Sequence, residues 1–326
     1  VQRRTDYPLA VRGTVLQAGD LLADAVLAVG VSSRLNPQYL ALKTQLDQWP
    51  SQGGPLAGQT FTVAGHSLGG YLAAAVKADY IQASAAYLYN APGSGGLVGN
   101  IADLVSGLFS QSTPGANGIW NLKGSEGASF ITGLGGQPSG SIPIQIEAAP
   151  GLGLGNHSVV RLTDALAIQA LYAKFDPNLT QAQLNALVDA SGSPMEQTLE
   201  TALDALRKVL LGSTDATVPE NRDSFYTNLQ TLQNSDAYRT LAGNARVDVL
   251  TTGDVASLTT KAHQNDAEGL AYRYALAELN PFAVVGADYT SHGASGVLGL
   301  YTGSGGSITD NWIADRANAL RAFAAY

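Results

Sequence analysis

The sequence predicts an α/β fold: a mostly parallel sheet flanked by helices, followed by a mainly helical C-terminal half. Three observations carry this expectation. Over residues 1–165, short β-like runs alternate with helical ones, the order that builds a parallel sheet with helices on its faces. Over residues 166–326 helical periodicity dominates. One strand–helix junction, "TFTVAGHSLGGYLAAA" at 60–75, sets a serine among glycines, which a plain connection does not need.

The first β-like run is "YPLAVRGT" (7–14). Two helical stretches follow, "DLLADAVLAVG" (20–30) and "NPQYLALKTQLDQW" (36–49). Asn36-Pro37 is a helix start, and Tyr39, Leu42 and Leu46 share one face. "QTFTVAG" (59–65) is the second strand, and "GYLAAAVKADYI" (70–81) the helix after it. "ASAAYLYNAPG" (83–93), "GIWNLKG" (118–124) and "SIPIQIEA" (141–148) complete the sheet. Within 94–117, Ile101, Leu104, Val105 and Leu108 fall on one helical face, with glycines before and Pro114-Gly115 after. Two readings stay open there, a core helix or a lid over the serine. In the second half, "PMEQTLETALDALRKVLLG" (194–212) spaces Leu199, Leu203, Leu206 and Leu210 as a helix and ends on Gly212. "NDAEGLAYRYALAEL" (265–279) and "TDNWIADRANALRAFAA" (309–325) read the same way, and one β-like run, "RVDVLTT" (246–252), interrupts them. The organisation expected is a core over 1–165 and a helical extension over 166–326.

Composition narrows the function classes. Of 326 residues 45% are hydrophobic, enough for a substantial core, and 13% are charged. A net charge of −8 argues against sequence-independent nucleic-acid binding, which needs a basic footprint. Without cysteine there is no disulfide, no thiolate metal site and no Cys nucleophile. No apolar run is long enough to span a membrane. The chain starts at Val1 without an initiating Met or signal peptide, and reads as a piece of a larger parent polypeptide.

Gly65-His66-Ser67-Leu68-Gly69 fits G-x-S-x-G, with an apolar strand before it and a helix after it. In that setting the small residues let strand and helix approach, while the turn lifts a hydroxyl above the sheet near the positive end of a helix. The alternative is a glycine-rich turn with an idle serine. A serine nucleophile needs a base, and the chain has four histidines. His157, in "GLGLGNHSVVRLTDALAI", follows a glycine-rich loop, precedes a helix and comes after Ser67 in chain order, so it is the expected base. His292, in "DYTSHGASG", is the reserve; His66 is expected to pack beside the elbow, and His263 to lie on a helix at the surface.

The acids between Ser67 and His157 are Asp79, Asp103, Glu126 and Glu147. Glu126 stands just past the strand "IWNLK", where carboxylates of open α/β sheets gather, and is favoured; Glu147, ending "IPIQIE", is second. The oxyanion would be met by the Leu68 N–H and by Thr14, at the end of "VRGT".

"VRGT", "DLLAD", "VAGHSLGGYLAAA" and "YNAPG" together resemble the class 3 lipase pattern of the α/β-hydrolase superfamily, over roughly 7–165. More closely, with "NHSVVRLTDAL", "RDSFYTNL", "RYALAELNPFAVVGADY" and "DRANAL", the chain resembles lipase-like hydrolase domains of large secreted bacterial proteins with calcium-binding glycine-rich repeats. The resemblance implies an α/β-hydrolase-type sheet, esterase or lipase activity, a triad of Ser67, an acid and His157, Thr14 in the oxyanion hole, and an extracellular location. The chain departs from it in offering Glu126 where Asp is usual, and in lacking both the strands expected before "YPLAVRGT" and the repeats. The expectation is therefore a serine hydrolase of carboxylic esters with an ester or lipid-like substrate and no cofactor. Its rivals are a phospholipase A1, a polyester depolymerase or an amidase on the same fold, and a non-catalytic module of a secreted adhesin.

Overall fold

A computed structural model describes residues 7–13, 37–49, 51, 53–91, 117–125, 141–147, 157–192, 198–213, 215–289 and 308–325. The chain divides into two compact units, one of Val1–Ile144 and Pro150–Leu162, the other of Gln145–Ala149 and Thr163–Tyr326.

The first unit is built on five parallel strands in consecutive order: β1 (Tyr7–Val11), β2 (Phe61–His66), β3 (Ala83–Tyr89), β4 (Ile119–Gly124) and β5 (Ser141–Ile144). In β2, Phe61, Val63 and Gly65 are buried, while Thr62, Ala64 and His66 are half-buried, because successive side chains take opposite faces. The buried face meets helix α2 (Leu68–Asp79), which packs on β1, β2 and β3. Residues Leu68 through Val76 of α2 are all buried, and a helix apolar all round belongs in a core. Its Gly69, Gly70, Ala73, Ala74 and Ala75 keep the surface shallow, so the backbone can lie close to the sheet. Helix α1 (Pro37–Leu46) adds Tyr39 and Leu46, both fully buried, with Leu42 packed beside them. The Tyr39 hydroxyl donates to Asp79 Oδ2 at 2.5 Å, tying α1 to the end of α2.

Among the ends that differ from the sequence reading, two bear on the candidate site. Helix α2 starts at Leu68 rather than 70, because the turn at Ser67 already launches it. Strand β5 ends at Ile144, so Glu147 stands three residues past it rather than at its tip. The Gln145 N–H turns to Asn185 Oδ1 (2.9 Å) instead of a ladder partner. The helical stretch at 20–30 lies outside the described residues, as does 94–117 apart from Asn117.

The second unit holds most of helix α3 (Val159–Phe175) and helices α4 (Gln181–Ala190), α5 (Thr198–Leu211), α6 (Arg222–Asn234), α7 (Asp236–Leu241), α8 (Val255–Ala262), α9 (Ala267–Glu278) and α10 (Asp310–Ala325). Helix α5 buries Leu199, Leu203 and Leu206 as their spacing predicts, and Gly212 at φ 63° follows its end. The expected strand is β6 (Arg246–Val249), and it has an antiparallel partner absent from the sequence reading, β7 (Phe282–Val285). Arg273 of α9 is completely buried, and its Nη1 donates to the carbonyls of Ala262 (2.8 Å) and Gln264 (2.6 Å), past the end of α8 where carbonyls lack helical partners. Among the described residues no helix is long and apolar enough to cross a membrane.

Candidate active site

Because β1–β5 run parallel, their C-terminal ends lie at one edge of the sheet, and the turn at Ser67 and the His157 carbonyl are found there. Ser67 joins β2 to α2 with φ 56° and ψ −127°, a conformation that costs a non-glycine residue about 1–3 kcal/mol. The surroundings hold it there. The Ser67 N–H donates to Tyr89 O at 2.9 Å, and its carbonyl accepts from Gly70 N (2.9 Å) and Tyr71 N (3.2 Å). The hydroxyl does not cap the helix it precedes, although serine is a common cap, so α2 leaves the Oγ to other uses.

The two outer glycines of the motif are a steric requirement. A Cβ on Gly65 would lie 2.1 Å from Gly69 O, and one on Gly69 would lie 2.3 Å from Val11 O and 2.7 Å from Gly13 N. The loop after β1 therefore rests directly on the elbow. A Cβ on Gly13 would in turn come within 3.0 Å of Gly69 N and 3.7 Å of Leu68 N. The loop after β3 presses from the other side: a Cβ on Gly70 would meet the Ala91 side chain at 2.8 Å.

His157 is buried, with 6% of its surface exposed, and opens the segment that enters α3. Its carbonyl accepts a hydrogen bond from His66 Nε2 at 2.8 Å, and the Asn90 side-chain amide reaches the same oxygen at 3.5 Å. The two imidazole rings lie 4.8 Å apart at 46°. A carbonyl only accepts, so His66 carries its proton on Nε2. Asn90 follows the end of β3 in a left-handed conformation (φ 48°) that asparagine tolerates, and is 1% exposed. Its Oδ1 accepts from Gly124 N at 2.8 Å and its own N–H donates to Leu122 O, joining the ends of β3 and β4.

Burial holds both imidazoles neutral. The His157 pKa is pushed down to about 4, first by burial and then by the neighbouring His66. That of His66 is lowered by burial, partly offset by its bond to the His157 carbonyl. At neutral pH the His157 ring thus keeps a lone pair able to take a proton.

Ser67, Leu68, His66 and His157 belong to the first unit; at this edge His66 meets His157, and Ser67 and Leu68 are the next two residues of the chain after His66. Thr14, Glu126, His292 and Asp103 lie outside the described residues. Glu147 belongs to the second unit, where its Oε1 accepts from Leu199 N (2.9 Å) and Thr198 Oγ1 (3.3 Å) at the start of α5. Asp79 takes the Tyr39 hydroxyl. His263 is half-exposed just past α8, with Nε2 2.9 Å from Asp310 Oδ1. Among the described residues no group of three or more His, Asp or Glu side chains is placed to hold a metal ion. The sequence reading assigned Asn90 no role. Its signal was an asparagine followed by a small residue at a strand end, in "YNAPG".

No family model, curated protein or solved structure matches the chain.

Proposed function

We propose that the chain is a serine hydrolase of carboxylic esters, with an α/β-hydrolase-type first unit. The observation that carries this is the strained Ser67 at the strand–helix turn, held at φ 56° between two glycines that admit no Cβ. Backbone strain of this kind is kept where a side chain must be presented in one place.

In this reading Ser67 Oγ attacks the ester carbonyl while His157 takes its proton. His157 then returns the proton to the leaving alcohol, and water repeats the sequence on the acyl-enzyme. The Leu68 N–H, at the start of α2, and Thr14, the residue after Gly13, stabilise the oxyanion. The contact of Gly13 with the elbow supports that pairing, since it carries the chain to the Leu68 amide. A buried imidazole whose pKa is near 4 is a weak base unless a carboxylate favours its charged form. Glu126, two residues along the chain from the end of β4, is the acid proposed to do this. Glu147 is the poorer candidate, because α5 already engages its carboxylate. Val159 and Val160 stand 42% and 41% exposed just after His157. Exposed apolar side chains so close in sequence to the proposed base suit acyl esters better than charged substrates.

A fluorophosphonate probe tests the reading. The intact chain should be labelled once, on Ser67, and Ser67→Ala should take no label. A chain that resists the probe while folded is a non-catalytic module.

A further inference from the structure

Of the two histidines in contact beside the elbow, the ester mechanism uses only one. His66 is the last residue of β2, one step before the nucleophile. Alternation along the strand sends its side chain to the face opposite α2. Its Nε2–H is committed to the His157 carbonyl at 2.8 Å, which leaves Nδ1 as the acceptor of the neutral ring. It is therefore poorly disposed to serve as the base itself. What its geometry does is fasten main chain to main chain across 91 residues of sequence.

We propose that His66 is a positioning residue for the base: its Nε2–H, with the Asn90 amide beside it, clamps the carbonyl of His157 and so fixes the His157 ring at the end of the nucleophile strand. The inference rests on the hydrolase reading above and adds to it how the base is held. Asn90 anchors the clamp to the sheet, since its Oδ1 is bonded to Gly124 N at the tip of β4. Residue types follow from this arrangement. The donor must reach from the tip of β2 to a carbonyl, which the imidazole Nε2 does. A glutamine places its Nε2 at a similar distance from Cβ, whereas an asparagine amide falls short.

The test compares wild type, His66→Gln and His66→Asn by turnover of p-nitrophenyl butyrate, rate of fluorophosphonate labelling and melting temperature. The expected result is a loss of about 10²-fold in kcat for His66→Asn, the scale of a misplaced catalytic group, with KM within about twofold. Labelling should slow in parallel. His66→Gln should recover most of the rate. Equal rates in all three proteins, equal losses in both variants, or a loss confined to KM would each overturn the clamp. NMR of the imidazole nitrogens in the wild-type protein decides the point without any variant: a proton on His66 Nε2 is expected, and one on Nδ1 contradicts it. An inactive, unlabelled wild type defeats the hydrolase reading instead, and leaves the tautomer to judge the clamp.

Discussion

A methyl group on Gly69 would press on the Val11 carbonyl and the Gly13 amide at once, both backbone atoms with no side-chain freedom to yield. Gly69→Ala is therefore expected to destabilise the first unit by at least about 2 kcal/mol, the upper range for single substitutions. It should also abolish labelling of Ser67. A near-normal melting curve with labelling retained would mean that the β1 loop does not rest on the elbow as described. Carboxylate substitutions test the other partner of His157. Glu126→Gln is expected to lower kcat by about 10⁴-fold, as loss of the orienting acid does in serine triads. The surviving activity should show its acid limb at lower pH, because a buried imidazole without a carboxylate resists protonation. Glu147→Gln should leave kcat within a few-fold. The reverse order of losses, read from pH–rate profiles of both variants, transfers the role to Glu147.

Helix α5 shows how one element can carry a pH dependence of stability. Glu147 accepts from the Leu199 amide and the Thr198 hydroxyl at the start of α5, and Glu200 stands in its first turn. The Glu200 pKa is pushed up to about 7, first by burial and then by the charge of Glu147. The folded chain thus holds a proton that the unfolded chain releases nearer the ordinary carboxyl value. Stability from this source is full below that ordinary value and falls as pH rises towards about 7. Glu200→Gln keeps a donor towards Glu147 at every pH. Its melting temperature should exceed that of wild type at pH 8.5 and match it near pH 5; a difference independent of pH would contradict the raised Glu200 pKa.

Elements were legible in the sequence where the pattern was long or punctuated. The five parallel strands and α5 stood out through alternation, helical leucine spacing and glycine stops. Strand β7 did not, because "FAVV" is four residues long and Phe282, Ala283 and Val284 are all buried, so it shows no period of two. Helix α4 carried a readable sign that went unused, the capping box in which Thr180 and Gln183 exchange side-chain and backbone bonds. At the site, Ser67, Leu68 and His157 were legible from motif and chain order. The role of Asn90 and the bond from His66 were not, because both act on a main-chain carbonyl, which no residue type announces.

At the scale of the whole molecule, each unit has a core of its own: the first around β1–β4 and α2, the second around α3, α5, α9 and β7. The chemistry proposed belongs to the first, at the edge where parallel strands end and the elbow presents Ser67. Charged residues make up 13% of the chain and the net charge is −8, which argues against the basic footprint that sequence-independent nucleic-acid binding needs. The central claim is that the strained serine is a working nucleophile. Intact-mass spectrometry of the full chain after fluorophosphonate treatment tests it most directly. The account predicts one adduct, mapped to the peptide that contains Ser67, lost in Ser67→Ala and slowed in His157→Ala. A folded chain with no adduct, or an adduct that persists in Ser67→Ala, contradicts it.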